Sequence, residues 1–248
     1  MFTKDNLNDV LEILKNDLIK EDSVFFSEAY LQLLFAMEVL KINENGKPRF
    51  KCMPEYPIHL GSDKYEVDLL IQDLDTSEHT ILEFKYKTLN TEASSKASLS
   101  IPTVLGQNFE PKSHMAHDLG RYDVLHDLVR TRKVIDDASI NVQNGFVVFI
   151  TNDHNYWDTL KSGKTYKYGT NFHLFDDRKL KTGDKLDWER PIDPKTGEPT
   201  DITNSIGKGR THLIVINKDY EVNWEDYYHL KRCTNDKINL FRILKLEA

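Results

Sequence analysis

Two neighbouring stretches carry charge where a half-buried strand ordinarily carries aliphatic side chains. They are Tyr65-Glu66-Val67-Asp68-Leu69-Leu70-Ile71 and Thr80-Ile81-Leu82-Glu83-Phe84-Lys85-Tyr86-Lys87. Positions i and i+2 of a strand share a face, so Glu83 and Lys85 point the same way. If the two runs pair, Asp68 joins them. Two carboxylates and an ammonium at one place suit a divalent cation and an activated water. Mg²⁺ takes hard oxygen ligands and keeps several waters, so one or two carboxylates suffice. A bound cation polarises a phosphoryl oxygen and acidifies its water, while the lysine orients that water or stabilises developing charge. The competing reading is a Lys–Glu ladder on an exposed sheet face, extended by Lys87, which contributes little.

The tripeptide acid-x-Lys alone carries no weight, because about 4 such matches are expected by chance in a chain this rich in acids and lysines. Glu110-Pro111-Lys112, Asp177-Arg178-Lys179 and Asp193-Pro194-Lys195 also fit it, but in polar or proline-containing loops. Only Glu83-Phe84-Lys85 lies in an apolar strand that follows a second strand bearing an acid.

The elements that must position these residues follow from periodicity. Leu7, Val10, Leu11, Leu14 and Leu18 mark a helix over 5–20. A second helix is expected over 24–41, capped by Asp22 or Ser23, with Phe25, Ala29, Leu33, Ala36 and Leu40 as its buried stripe. Asn43-Glu44-Asn45-Gly46 reads as a turn. Strands are expected at 49–60, 64–73 and 79–88, the first irregular or at an edge because of Pro54 and Pro57. Residues 89–112 read as a long polar loop, a mobile flap beside the site or disorder without function. A long helix should span 113–138, and Gly145 to Ile150 is a fully apolar strand. Asn152 and Asp153 read as capping the turn that holds Tyr156 and Trp157. From 160 onward short strand-like pieces alternate with turns; 191–199 reads as a surface excursion, and 211–216 with 220–224 as a closing hairpin. The order predicts an α/β domain with a mixed central sheet flanked by helices.

Further candidates flank the centre. Glu55, in the strand before Asp68, is a further ligand or the partner of Lys85; an edge-strand charge against aggregation is the alternative. Arg121 shares a helix face with Leu125 and Leu128, half-buried, where a guanidinium suits a phosphate or a salt bridge to a nearby acid. Gly120 would let that helix approach the sheet closely. His114 and His117 stand at i, i+3 without a third ligand at usable spacing, so zinc is not expected.

Composition bounds the rest. The chain has 248 residues, 39% hydrophobic and 29% charged, with a net charge of −7. That balance argues against non-specific coating of nucleic acid but allows a local phosphate site. Basic residues do cluster, as Arg130, Arg132 and Lys133, then Lys161, Lys164, Lys167, Lys179, Lys181 and Lys185, a phosphate track or a solvated surface. No apolar run approaches the ~20 residues of a membrane span. The N-terminus lacks a signal-peptide layout, and the two cysteines, Cys52 and Cys233, read as reduced thiols of a cytoplasmic protein.

Asp68 followed by Glu83-x-Lys85 on consecutive strands, after an N-terminal helix and before a long one, resembles the PD-(D/E)xK nuclease superfamily. The leading proline of that motif is replaced, since Glu66-Val67 precede Asp68. A closer likeness, to a family of uncharacterised bacterial proteins, covers most of the chain. It is carried by Ser27-Glu28…Gln32, Pro54-Glu55-Tyr56-Pro57, Glu83-Phe84-Lys85-Tyr86-Lys87-Thr88, Asp118-Leu119-Gly120-Arg121-Tyr122-Asp123, Phe149-Ile150-Thr151-Asn152-Asp153…Tyr156-Trp157 and Trp224-Glu225-Asp226-Tyr227. The resemblance implies a single domain over 1–248. A restriction-endonuclease-like core would fill about 5–158, and a β-rich C-terminal extension about 159–248. It implies a Mg²⁺- or Mn²⁺-dependent nuclease acting on DNA before RNA. Asp68 and Glu83 would bind metal, with Glu28 and Glu55 as further ligands; Lys85 would orient the attacking water and Arg121 contact phosphate. The alternative it carries is a catalytically silent module that binds nucleic acid or a protein. The partner protein would be a second copy of the chain or a component of a defence system.

Overall fold

The computed structural model describes residues 1–44, 46–90, 99–103, 105–114, 116–159, 169–190, 192–202, 206, 209–231, 233 and 238–248. The expectations for Asn45, for 91–98 of the long loop, for Lys161, Lys164 and Lys167, and for Pro191 lie outside the described residues.

Six strands form one mixed sheet: β1 (Phe50–Leu60), β2 (Asp63–Asp73), β3 (His79–Lys87), β4 (Val142–Thr151), β5 (Trp224–His229) and β6 (Leu240–Glu247). Their order is β5-β6-β4-β3-β2-β1. Only β3 and β4 run parallel, and the long connection between them holds a helix, as a parallel crossover requires. The edge position of β1 suits Pro54 and Pro57, which lack a ladder donor. Helices α1 (Lys4–Glu21) and α2 (Glu28–Leu40) pack on one face, where Leu82, Phe84 and Tyr86 meet Leu11, Phe25, Leu31 and Phe35. Helix α3 (His117–Asp136) covers the other face, with Ile81 and Val134 in contact there. The alternation of β3 therefore sends Glu83 and Lys85, with Ile81, toward α3. No helix among the described residues is long and apolar enough to cross a membrane.

Helix α2 departs from its expected start and face. Asp22 ends α1 in a left-handed conformation, and Val24 and Phe25 are buried in the link between the helices. Ser27, whose hydroxyl accepts from Tyr30 N, is the cap. The buried stripe is Leu31, Phe35, Ala36 and Val39, while Leu33 and Leu40 are exposed. The helix is apolar on nearly every side, so spacing alone did not select its buried face. The true start puts Glu28 in the first helical turn. We expect Ser27→Ala to cost about 1 kcal/mol, read as a lower midpoint in urea unfolding; an unchanged midpoint would refute the cap.

Three other expectations change. Residues 101–102 pair with 108–109, and Leu99 and Ile101 are buried in the core cluster that α1 and α2 share with the sheet, so the described part of the long loop is anchored on the face away from Lys85. The expected closing hairpin is absent: Ile214–Val215 pairs with Lys185–Leu186, and Tyr220–Val222 with Arg178–Leu180. The Asp219 carboxylate accepts from Thr182 N and Lys181 Nζ and fastens the two segments together. Gly120 makes room for Tyr156 rather than for the sheet, since a Cβ there would stand 2.5 Å from the Tyr156 hydroxyl oxygen.

Candidate active site

The site forms where the sheet comes apart at Asp68. The ladder between β2 and β3 ends at Leu69↔Leu82, one step short of facing Asp68 with Glu83. The β1–β2 register also skips a pair here, passing from Pro54↔Leu69 to Tyr56↔Val67. The omitted residue, Glu55, has φ +49, a left-handed backbone that side chains other than Gly, Asn and Asp seldom adopt.

Opening the ladder leaves amides of β3 without strand partners, and two carboxylates take them. Phe84 N donates to Asp68 Oδ2 at 2.6 Å, and Tyr86 N donates to Glu28 Oε2 at 2.7 Å. Asp68 and Glu28 are thus brought to the same strand edge, from β2 and from the start of α2. Lys85 lies between those two amides in sequence and on the opposite side of the strand from Phe84 and Tyr86. Its ammonium donates to Asp127 Oδ2 at 2.6 Å and to Phe84 O at 3.0 Å. Arg130, one turn along α3 from Asp127, reaches Glu83 Oε1 at 2.5 Å and Asp127 Oδ1 at 3.1 Å. Glu83 is fully buried; Asp68, Lys85 and Glu28 are half-buried.

The electrostatics follow from crowding acids in a poorly hydrated place. Burial raises the Glu83 carboxyl well above its ordinary value, Asp127 and Asp68 add to this, and Arg130 and Lys85 offset only part. Burial also raises Asp68, against Lys85 and the Phe84 amide, and Glu28, against Lys85 and the Tyr86 amide. For Lys85 burial opposes the charge, but Asp127, Asp68, Glu28 and Glu83 outweigh it and hold the ammonium above its ordinary range. Asp127 goes the other way: despite burial, Lys85, His126 and Arg130 hold its carboxyl down.

One oxygen of each of Asp68, Glu28 and Glu83 receives no hydrogen bond among the described residues. Free carboxylate oxygens with raised proton affinity are hard donors suited to a hydrated divalent cation held by one or two of them. The described residues hold no group of three His, Cys, Asp or Glu close enough to form a metal cage. Glu28, Lys85, Lys87, Asp123, Asp127, Arg130 and Arg210 line an open cleft of about 420 Å³. Arg210 is fixed there by paired contacts to Asp123 at 2.7 and 2.8 Å.

One sequence-based candidate falls outside this group. Arg121 is buried on another side of α3, donating to Asn155 O at 2.5 Å with its guanidinium over the Tyr156 ring. It stands nine residues, or about two and a half turns, from Arg130, and so points away from the cleft. Glu55 is exposed opposite Asp68 in the skipped register, where burial, Asp68 and Glu66 raise its carboxyl and Lys85 offsets part of this; the ion-pair partner of Lys85 is Asp127. Asp153 caps the turn at 154–156 by accepting from Asn155 N, and also accepts from His117 Nε2 at 2.5 Å. His114 is engaged instead by Thr88. Asp127 as the lysine's partner was missed altogether. No signal singled it out: Asp127 and Arg130, three apart on α3, have the spacing of an ordinary solvated ion pair.

The chain matches no protein-family model, no curated protein and no solved structure.

Proposed function

We propose that the chain is a metal-dependent nuclease of the PD-(D/E)xK type, with a restriction-endonuclease-like core, hydrolysing phosphodiester bonds of DNA or RNA. One observation carries this reading: the ladder opens at Asp68 and brings Asp68, Glu28, Glu83 and Lys85 to one strand segment beside a cleft lined by Lys87, Arg130 and Arg210 together with Asp123 and Asp127. A bound Mg²⁺ would supply Lewis-acid polarisation of the phosphoryl oxygen and a more acidic water. Asp68 and Glu83 offer their free oxygens to it, with Glu28 behind. Lys85 has three donors; Asp127 and Phe84 O take two, and the third is left for a water or phosphate oxygen as negative charge grows there. Arg130 offsets Glu83 and keeps it in place. The test is cleavage of single- and double-stranded substrates with Mg²⁺ or Mn²⁺, comparing the native chain with Asp68→Ala and Lys85→Ala. Cleavage that survives both substitutions overturns the reading.

The second reading is a silent module that binds nucleic acid. It is favoured by the ion pairs of Glu83 with Arg130 and of Lys85 with Asp127, which satisfy both motif residues within the protein. Metal binding separates the two. Because Glu83, Asp68 and Glu28 all hold protons more tightly than usual, a cation must displace protons to bind. Mn²⁺ affinity is therefore expected to rise with pH across the neutral range, with proton release seen as buffer-dependent heats in titration calorimetry. A pH-independent affinity would exclude these carboxylates as ligands.

A further inference from the structure

A second cleft, of about 680 Å³, runs on from the first. His126, Arg130 and Gly209 line both, so together they make one trough along α3. Its floor runs from Tyr122 to Lys133, about 16 Å of helix at 1.5 Å per residue. Ser62 and the first residues of β2, through Tyr65, form one wall, and residues 209–215 form the other. Lys64 and Lys133 are exposed here, and neither has an ion-pair partner among the described residues; His212 stands opposite. Asp63 is the single acid among the described residues that line this second cleft. In a chain with a net charge of −7, Lys64, Lys133 and Arg130 give the second cleft a local reversal of sign, and it leads through the first cleft, where Lys87 and Arg210 stand among Glu28, Asp123 and Asp127, to Lys85.

We propose that this trough is the track of a single-stranded nucleic acid. Lys64 and Lys133 hold phosphates upstream, and Lys87 holds the next ones beside the reactive centre. The inference rests on reading that centre as a phosphodiester site and adds the form of the substrate. Walls on both sides of a one-helix floor admit one backbone, whereas a duplex needs an open face. Steering phosphates by lysine is strand-tolerant and salt-dependent, which suits a track with no base-reading side chains beyond the rings of Tyr65 and His126.

The experiment is fluorescence anisotropy with a labelled oligonucleotide of about 15 nucleotides, as DNA and as RNA, without divalent cations so that nothing is cut. The native chain should bind the single strand at least about tenfold more tightly than the matching duplex. In the Lys64→Glu/Lys133→Glu variant that affinity should fall about tenfold or more. The slope of log affinity against log salt should fall by about 1.4, the loss of two phosphate contacts. Binding unchanged by the double reversal, equal binding of duplex, or no salt-dependent binding at all overturns the track. Loss of cleavage in Asp68→Asn, with strand binding indifferent to the two lysines, removes the track and leaves the nuclease reading standing. A strand held through the lysines and never cut supports the track and removes the nuclease. The DNA and RNA arms show which strand is preferred.

Discussion

Replacing Asp127 with alanine is expected to cost the fold about 3 kcal/mol, the low end of what removing one partner of a buried ion pair does. For a chain of this size that is a fall in Tm of about 6–12 °C. The Asp127 side chain is buried and touches both Lys85 at 2.6 Å and Arg130 at 3.1 Å. Truncation leaves two half-buried cations with fewer partners. Asp68, Glu28 and Glu83 still face Lys85, and Glu83 still holds Arg130, which is why the cost stays near the low end. The pH dependence has a definite sign. The folded value of Asp127 lies below the ordinary 3.8, so its stabilisation is fully present above that value and is lost as pH falls through the depressed one. The alanine variant loses this acid limb. Glu83 has the opposite sign: its raised folded value means that the protonated form contributes stability at low pH, and this contribution disappears as pH rises through the raised value. Removing Asp127 removes a like charge from beside Glu83, so the second limb should move to lower pH. A Tm within about 2 °C of the native chain would show that the four-charge network contributes nothing.

What the sequence revealed and concealed follows from the reach of each signal. The strand alternation of Glu83 and Lys85 is local and period-2, so their shared face was legible, and Asp68 one strand earlier followed from hairpin order. The partners of those residues were not legible. Asp127 and Arg130 are charges on a helix, and nothing in a single chain separates a buried charge pair from a solvated one at the same spacing. Glu28 was placed through a resemblance, and its geometric reason, a Ser27 cap that starts α2 beside the freed amide of Tyr86, was concealed because an apolar segment precedes the cap. Arg121 was misread for a related reason. Its face also carries Leu125 and Leu128, and an apolar helix face can meet the sheet or, as Arg121 does here, the turn at Asn155 and Tyr156. The opening of the ladder at Asp68 has no sequence signature beyond the acid itself, since Glu55 is not a residue that announces a left-handed backbone.

Asp68→Asn is expected to remove Mg²⁺-dependent cleavage by about a hundredfold or more, while shifting Tm by no more than about 2 °C. The substitution separates charge from structure. Asparagine keeps an oxygen that can accept from Phe84 N, the bond that closes the strand edge at 2.6 Å. It loses the negative charge that would hold a cation. A metal's contribution to the transition state is several kcal/mol, and each 1.36 kcal/mol is tenfold in rate. Loss of a metal ligand is therefore expected to fall on kcat more than on KM, because the phosphate contact proposed for Lys87 remains. Glu28→Gln makes the same kind of separation at Tyr86 N and should cost less, since Glu28 stands behind the pair rather than in it. The silent-module reading predicts a different sign. Without catalysis, neutralising an acid beside the cleft removes repulsion toward phosphate, so Asp68→Asn would bind a nucleic-acid strand as well as or better than the native chain, with no cleavage in either. A native chain that cuts and an Asp68→Asn variant that cuts at the same rate would exclude Asp68 from the chemistry. Lys85→Ala would then decide whether the remaining candidate pair, Glu83 and Lys85, acts without it.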